Sequence, residues 1–137
     1  MEREEMNRLV EEHLAAEMAG DPKSCVAAYT DDVIHDLVGA PKAVVRGPGE
    51  AMERYEWLTK NVHIERMDPN HQWYGHDFCV MEHQLHATVP GEFMGIPGNN
   101  RPISFRILHV WEFKDGLMSR ENVWLDSGAI MAQLTAR

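Results

Sequence analysis

Basic residues are scarce in this chain: 13 Lys and Arg stand against 22 Asp and Glu, a formal charge of -9 with histidine neutral. No basic cluster offsets the excess, so DNA, RNA and anionic membranes meet a repulsive surface and are not expected as partners. Cysteine is nearly absent. Cys25 and Cys79, one expected on a helix and one on a strand, read as reduced core residues rather than a disulfide frame. No stretch reaches the ~20 apolar residues of a membrane span. The acidic, amphipathic start MEREEMNRLVEEHLAAEM also lacks the basic start, apolar run and cleavage site of a signal peptide. A cytoplasmic protein is therefore expected. Repeats, low-complexity tracts and linkers are missing, and 137 residues suffice for one core but not two, so residues 1–137 read as a single domain. Eight histidines are present, yet no HExxH, CxxC or facial His/carboxylate spacing appears, and no metal or other cofactor is expected. GxSxG and a cysteine in a basic setting are also missing, which argues against nucleophilic catalysis.

What is there divides into helices first and strands afterwards. Met6, Leu9, Val10, His13, Leu14 and Glu17 recur at helical spacing, and Gly20 followed by Asp21-Pro22 stops one helix and starts another, so helices are expected at about 3–18 and 22–29. A short strand at 33–37, a Gly/Pro-rich loop at 39–49 and a helix at about 49–60 follow. From there the pattern is strand-like: about 62–74, 78–89, 102–113 and 117–125, with turns at Gly75-His76-Asp77 and Lys114-Asp115-Gly116, the connection 91–101, and a last helix from Ser127 to Leu134. This order argues an α+β fold, a curved antiparallel sheet wrapped around the N-terminal helices into a cone.

The segment GEFMGIPGNNRPISFRILHVWEFKDGLMSRENVWLD, residues 91–126, carries most of the functional argument. Counting by twos puts Phe105, Ile107, His109, Trp111 and Phe113 on one face of the first strand. Counting back along the second puts Asp126, Trp124, Asn122, Arg120 and Met118 together. A histidine and an aspartate among large apolar side chains suit a ligand cavity better than a core, because each unpartnered buried polar group costs a few kcal/mol. A carboxylate partly stripped of water at Asp126 would be a better base near neutral pH. Phe93, Met94 and Ile96 would form an adaptable apolar wall over the mouth.

The order of elements, with YTDDVIHDLVG, GEFMGIP and FKDGLMSRENVWLD followed by SGAIMAQL, resembles the SnoaL-like polyketide cyclase branch of the nuclear transport factor 2-like superfamily over nearly the whole chain. The resemblance implies a cone-shaped cavity, a homodimer formed through the outer face of the sheet, and a cofactor-independent acid/base enzyme. That enzyme would be a polyketide cyclase or isomerase, carrying out an intramolecular aldol-type closure on a hydrophobic, carbonyl-rich small molecule. A non-catalytic small-molecule binder and a water-adding hydrolase are the alternatives. In those cyclases a cavity aspartate is the general acid/base, and Asp126 matches the aspartate that ends the last strand; one pleat earlier the chain has Asn122 or Val123.

The segments are also similar to the ketosteroid isomerases of the same superfamily. Aligned on Phe113, His109 falls where those enzymes hold a protonated aspartate in the oxyanion hole. Asp36 precedes Leu37-Val38-Gly39 as their base precedes Pro-x-Gly, with His35 the alternative by one residue. Only one of the two can face inward, and a histidine common at that position in SnoaL-like sequences favours His35. Counting back from Gly20, His13 matches their oxyanion-hole tyrosine. The missing tyrosine, Leu37 in place of proline and His109 in place of the donor aspartate argue against steroid isomerisation itself. Arg120 and Asn122 would orient Asp126 or a substrate carbonyl, and Trp111, Trp124 and Phe93 would line the substrate site. Where limonene-type epoxide hydrolases need an Arg-x-Asp pair, the turn before the last strand has Phe113-Lys114-Asp115 instead.

Overall fold

The computed structural model describes residues 1–137. In chain order it contains α1 (Arg3–Ala19), α2 (Pro22–Cys25), β1 (Tyr29–Leu37), β2 (Val44–Arg46), α3 (Gly47–Asn61), β3 (His63–Tyr74), β4 (Phe78–Val89), β5 (Glu92–Phe93), β6 (Ile96–Pro97), β7 (Arg101–Lys114), β8 (Leu117–Leu125) and α4 (Ser127–Leu134). Six strands form one sheet in the order β2-β1-β8-β7-β4-β3, and β5-β6 form a separate hairpin. All pairings in the large sheet are antiparallel except β1 with β8, which run parallel. The α+β reading is correct, with three local differences, one being that the 91–101 connection holds the β5-β6 hairpin. The second helix is a single turn, because β1 begins at Tyr29, and the Gly/Pro-rich loop contains β2.

Local chemistry explains the boundaries. Gly20 ends α1 in the left-handed region at φ 67°, and the Asp21 side chain accepts the Ser24 N–H to start α2 with Pro22 in its first turn. Asp115 and Gly116 both have positive φ, 53° and 76°, which gives the two-residue turn whose twist suits the β7-β8 hairpin. Met94 and Gly95 turn β5 into β6 in the same way.

The inner face of the sheet wraps α1 and α3. Two apolar clusters fill it: one around Met6, Leu9, Val10, Tyr55, Trp111 and Met118, the other around Val62, Leu85, Phe105, Ile107, Val123 and Ile130. Cys25 and Cys79 are free and buried in the first. Between the clusters runs a polar belt across four strands: His83 on β4, His109 on β7, Glu121 on β8 and His35 on β1, all buried. Such a belt costs free energy unless its members partner one another or a ligand.

A bulge decides which residues of β8 enter the belt. Phe113 pairs with Met118 but Glu112 pairs with Arg120, so Ser119 is an extra residue and the alternation flips past it. Met118 faces in before the bulge, and Glu121, Val123 and Leu125 face in after it, opposite Trp111, His109 and Ile107. The face expected for Asp126, Trp124, Asn122 and Arg120 is therefore the outer one.

Candidate active site

Glu121 is the centre of the belt, 1% exposed. Its Oε1 accepts the Tyr29 hydroxyl at 2.7 Å and the Trp111 Nε1–H at 2.9 Å, with His13 Nε2 at 3.1 Å. Its Oε2 accepts the Tyr55 hydroxyl at 3.2 Å, with His35 Nε2 at 3.4 Å and His109 Nε2 at 3.7 Å. Burial alone would raise this carboxyl, yet His13 and His35 outweigh it and hold Glu121 well below the usual carboxylate range. An ionised carboxylate only accepts hydrogen bonds, and so does the Cys25 carbonyl that lies 2.8 Å from His13 Nδ1. Nδ1 therefore donates to Cys25, and Nε2, which also meets the Tyr55 hydroxyl at 3.2 Å, lies close enough to the carboxylate to favour the imidazolium. Burial works against that charge, but Glu121 and Glu17 raise the His13 pKa to about 9.

The other two histidines differ from His13. Arg54 Nη1 donates to His35 Nδ1 at 3.0 Å, and since a guanidinium has no acceptor, the His35 proton sits on Nε2, toward Tyr55 and Glu121. His109 is 2% exposed and stacks on Trp111 with ring centroids 4.4 Å apart. Burial is the main reason its pKa falls to about 3, so it is neutral. Its Nδ1 has no partner in the protein.

An inner cavity of about 90 Å³ opens against this network. Its wall is apolar, with Leu58, Val62, Ile64, Met67, Leu85, Phe105, Ile107 and Val123, interrupted by Glu17, His35, Arg54, Tyr55, His109 and Glu121. A wider vestibule of about 740 Å³ shares Leu37, Arg54, Trp57, Phe93 and Leu125 with it and extends over the 38–42 loop, Met94 and Gly95. A small apolar chamber with few polar groups, reached through a broader mouth, is the form of a small-molecule site.

The structure brings together His13, His35, His109, Trp111 and Phe93 from the residues singled out in the sequence. It places the others elsewhere. Asp126 is exposed and caps α4, its Oδ1 accepting the Ala129 N–H at 3.2 Å. Aspartate suits that capping position, and it lies outside the cavity wall. Asp36 is on the opposite face of β1 from His35, with Arg120 Nη2 at 3.7 Å. Arg120 donates to Asn122 Oδ1 at 2.9 Å on that outer face, and Trp124 is 41% exposed. The inward residue of the His35/Asp36 pair is His35. Sequence reasoning missed Glu121, Tyr29, Tyr55, Arg54 and Glu17 as site residues. A signal existed for Glu121: apolar residues of both parities in LMSRENVWL, Met118 and Val123 among them, cannot share one face without a bulge.

Fold and site define an α+β cone enclosing an apolar cavity above a buried acid/base network. The chain belongs to the SnoaL-like polyketide cyclase family, whose model matches residues 6–134. Among solved structures, TsrD from Streptomyces laurentii is similar at 22% identity, covering 100% of this chain and 99% of that one with a TM-score of 0.85. A candidate polyketide cyclase from Xanthomonas campestris is 17% identical over 97% and 98% of the two chains, TM-score 0.84. A candidate isomerase from Rhodopseudomonas palustris is 18% identical over 100% of both, TM-score 0.82. An epoxide hydrolase of the limonene-hydrolase type from M. tuberculosis shares the fold at 18% identity, 95% and 89% coverage and TM-score 0.74. No curated protein matches in sequence. No helix is long and apolar enough to cross a membrane.

Proposed function

We propose that this protein is a cofactor-independent acid/base enzyme, a cyclase or isomerase acting on a hydrophobic, carbonyl-rich small molecule held in the cone. The observation that carries the reading is His109: a neutral imidazole in the cavity wall that makes no hydrogen bond to the protein. Its Nε2 lies 3.7 Å from the Glu121 carboxylate, whose charge favours the proton on that nitrogen while the distance leaves it free to donate to a ligand. A neutral donor of this kind stabilises an enolate oxygen formed when a proton α to a carbonyl is removed. Glu121 and its five closer donors keep the surrounding side chains fixed, so little reorganisation is needed as charge develops.

Mass spectrometry of poly-β-keto esters and related ketones, after incubation with the wild type and with His109→Gln, tests the reading. A product of unchanged mass and new retention time, formed by the wild type and lost in the variant, supports it. Gain of one water would instead indicate a hydrolase, and ligand-induced thermal stabilisation without product a binder. The homodimer belongs to the same proposal. Trp73 and Trp124, 52% and 41% exposed on the outer face of the sheet, support it, and sedimentation equilibrium tests it.

A further inference from the structure

The proposed reaction needs a base, and none of the three acid/base groups first considered for the role can serve in this arrangement. Asp126 is outside the cavity, Asp36 is on the outer face, and the acceptor nitrogen of His35 is held by Arg54. One other group is in place. Glu17 lies on α1 one turn beyond His13, is 9% exposed and lines the inner cavity with His109. No hydrogen bond from the protein holds its carboxyl, in contrast to the saturated Glu121. A carboxyl buried at this cost without a partner, in an apolar chamber, is an unfinished interaction that a ligand would complete.

Resting on the function proposed above, we infer that Glu17 is the general base of this site, taking the proton α to a carbonyl of the bound molecule. The C–H bond breaks, its electron pair becomes the enolate double bond, and the proton passes to the Glu17 carboxylate. The His109 Nε2–H holds the enolate oxygen. In a closure, the enolate carbon bonds to a second carbonyl carbon of the same molecule, and the oxygen of that carbonyl takes the proton back from Glu17. In an isomerisation the proton returns to a different carbon. Either product has the mass of the substrate, and the enzyme ends as it began.

The surroundings suit the task. Burial raises the Glu17 pKa to about 7, Glu121 on β8 adds to the rise, and His13 on the same helix opposes it. The thiol of Cys25 on α2 and the phenols of Tyr29 on β1 and Tyr55 on α3 also feel its charge, and burial keeps each of them protonated. A base poised near the working pH combines a useful fraction of the ionised form with a strong pull on the proton. At the same site Glu121 stays ionised and His109 stays neutral, so environment has separated the roles.

Three readouts test the inference on the full chain. The wild-type kcat/KM profile should rise through a limb near pH 7. Glu17→Gln should lower kcat by about 10²–10⁴-fold and lose the limb, while 2-naphthol, a probe with an enol-like hydroxyl, binds within a few-fold of wild type. Glu17→Asp should recover part of the rate with the limb. Infrared titration of the wild type alone should show a protonated-carboxyl stretch that disappears through pH 7, and its absence would overturn the assignment whatever the variants do. Wild-type turnover and an intact limb in Glu17→Gln would overturn the base and leave the enzyme standing. Failure of the wild type to turn over any of the ketones while still binding 2-naphthol would overturn the proposed function and the base with it.

Discussion

Replacing Glu121 by glutamine removes one charge and nothing of the shape, and the structure fixes what must follow. The variant leaves the His13 imidazolium without its counter-ion and turns amide hydrogens toward a group of donors that includes the Tyr29 and Tyr55 hydroxyls and the Trp111 N–H. At 1% exposure, solvent screening gives no relief. Breaking a buried pair by removing one partner costs about 3–5 kcal/mol, a large part of the roughly 5–15 kcal/mol that holds a typical domain folded. The loss should depend on pH. In the wild type the His13 pKa is raised from 6.5 to about 9 on folding. Its contribution is therefore full below pH 6.5 and lost as pH rises through 9, roughly 3 kcal/mol in all. Without Glu121, burial holds His13 neutral, so the variant has no such contribution to lose. Urea unfolding of both proteins from pH 7 to pH 10 should give a stability gap that is widest at pH 7 and narrows by a few kcal/mol. A gap below about 1 kcal/mol at pH 7, or one that stays constant to pH 10, would refute the ion pair.

Further outcomes follow from the same geometry. His109→Gln should lower turnover by about 10²–10³-fold, the usual cost of losing one oxyanion donor, with the change in kcat rather than KM. Asp126→Ala should cost about 1 kcal/mol in thermal or urea unfolding through the lost helix cap and leave turnover unchanged. The Glu17 pKa is raised from 4.5 to about 7 on folding, so its contribution is favourable below pH 4.5 and lost as pH rises through 7. Glu17→Gln should accordingly match the wild type near pH 4 and exceed it by up to roughly 3 kcal/mol at pH 8, measured by urea unfolding.

Much of the fold was legible because its signals are local. Helical periodicity placed α1, the glycine and proline stops placed its end, and the Asp115-Gly116 turn placed β7 against β8 with the inward set Phe105, Ile107, His109, Trp111 and Phe113 correct. The parallel pairing of β1 with β8 was not legible, since it joins strands about 90 residues apart and no local pattern encodes it. The site was half legible. His109 and Trp111 were visible on the apolar face of a strand, whereas His35 and His13 were singled out through the family resemblance. Glu121 was hidden by the extra residue at Ser119, which reverses the alternation and moved Asp126, Asn122 and Trp124 to the wrong side of the sheet. Glu17 fell at core spacing on α1, but spacing alone cannot tell a carboxyl facing a chamber from one that snorkels to water.

The most direct test of the central claim is hydrogen exchange at the carbon α to a carbonyl. A slowly exchanging aryl ketone such as acetophenone is incubated in D2O with the wild type and with His109→Gln, and deuterium uptake is followed by mass spectrometry. A cavity that forms enolates predicts uptake well above the buffer rate with the wild type, abolished in the variant. Uptake at the buffer rate with both proteins, while 2-naphthol still binds, would contradict the acid/base account and leave a binding cavity.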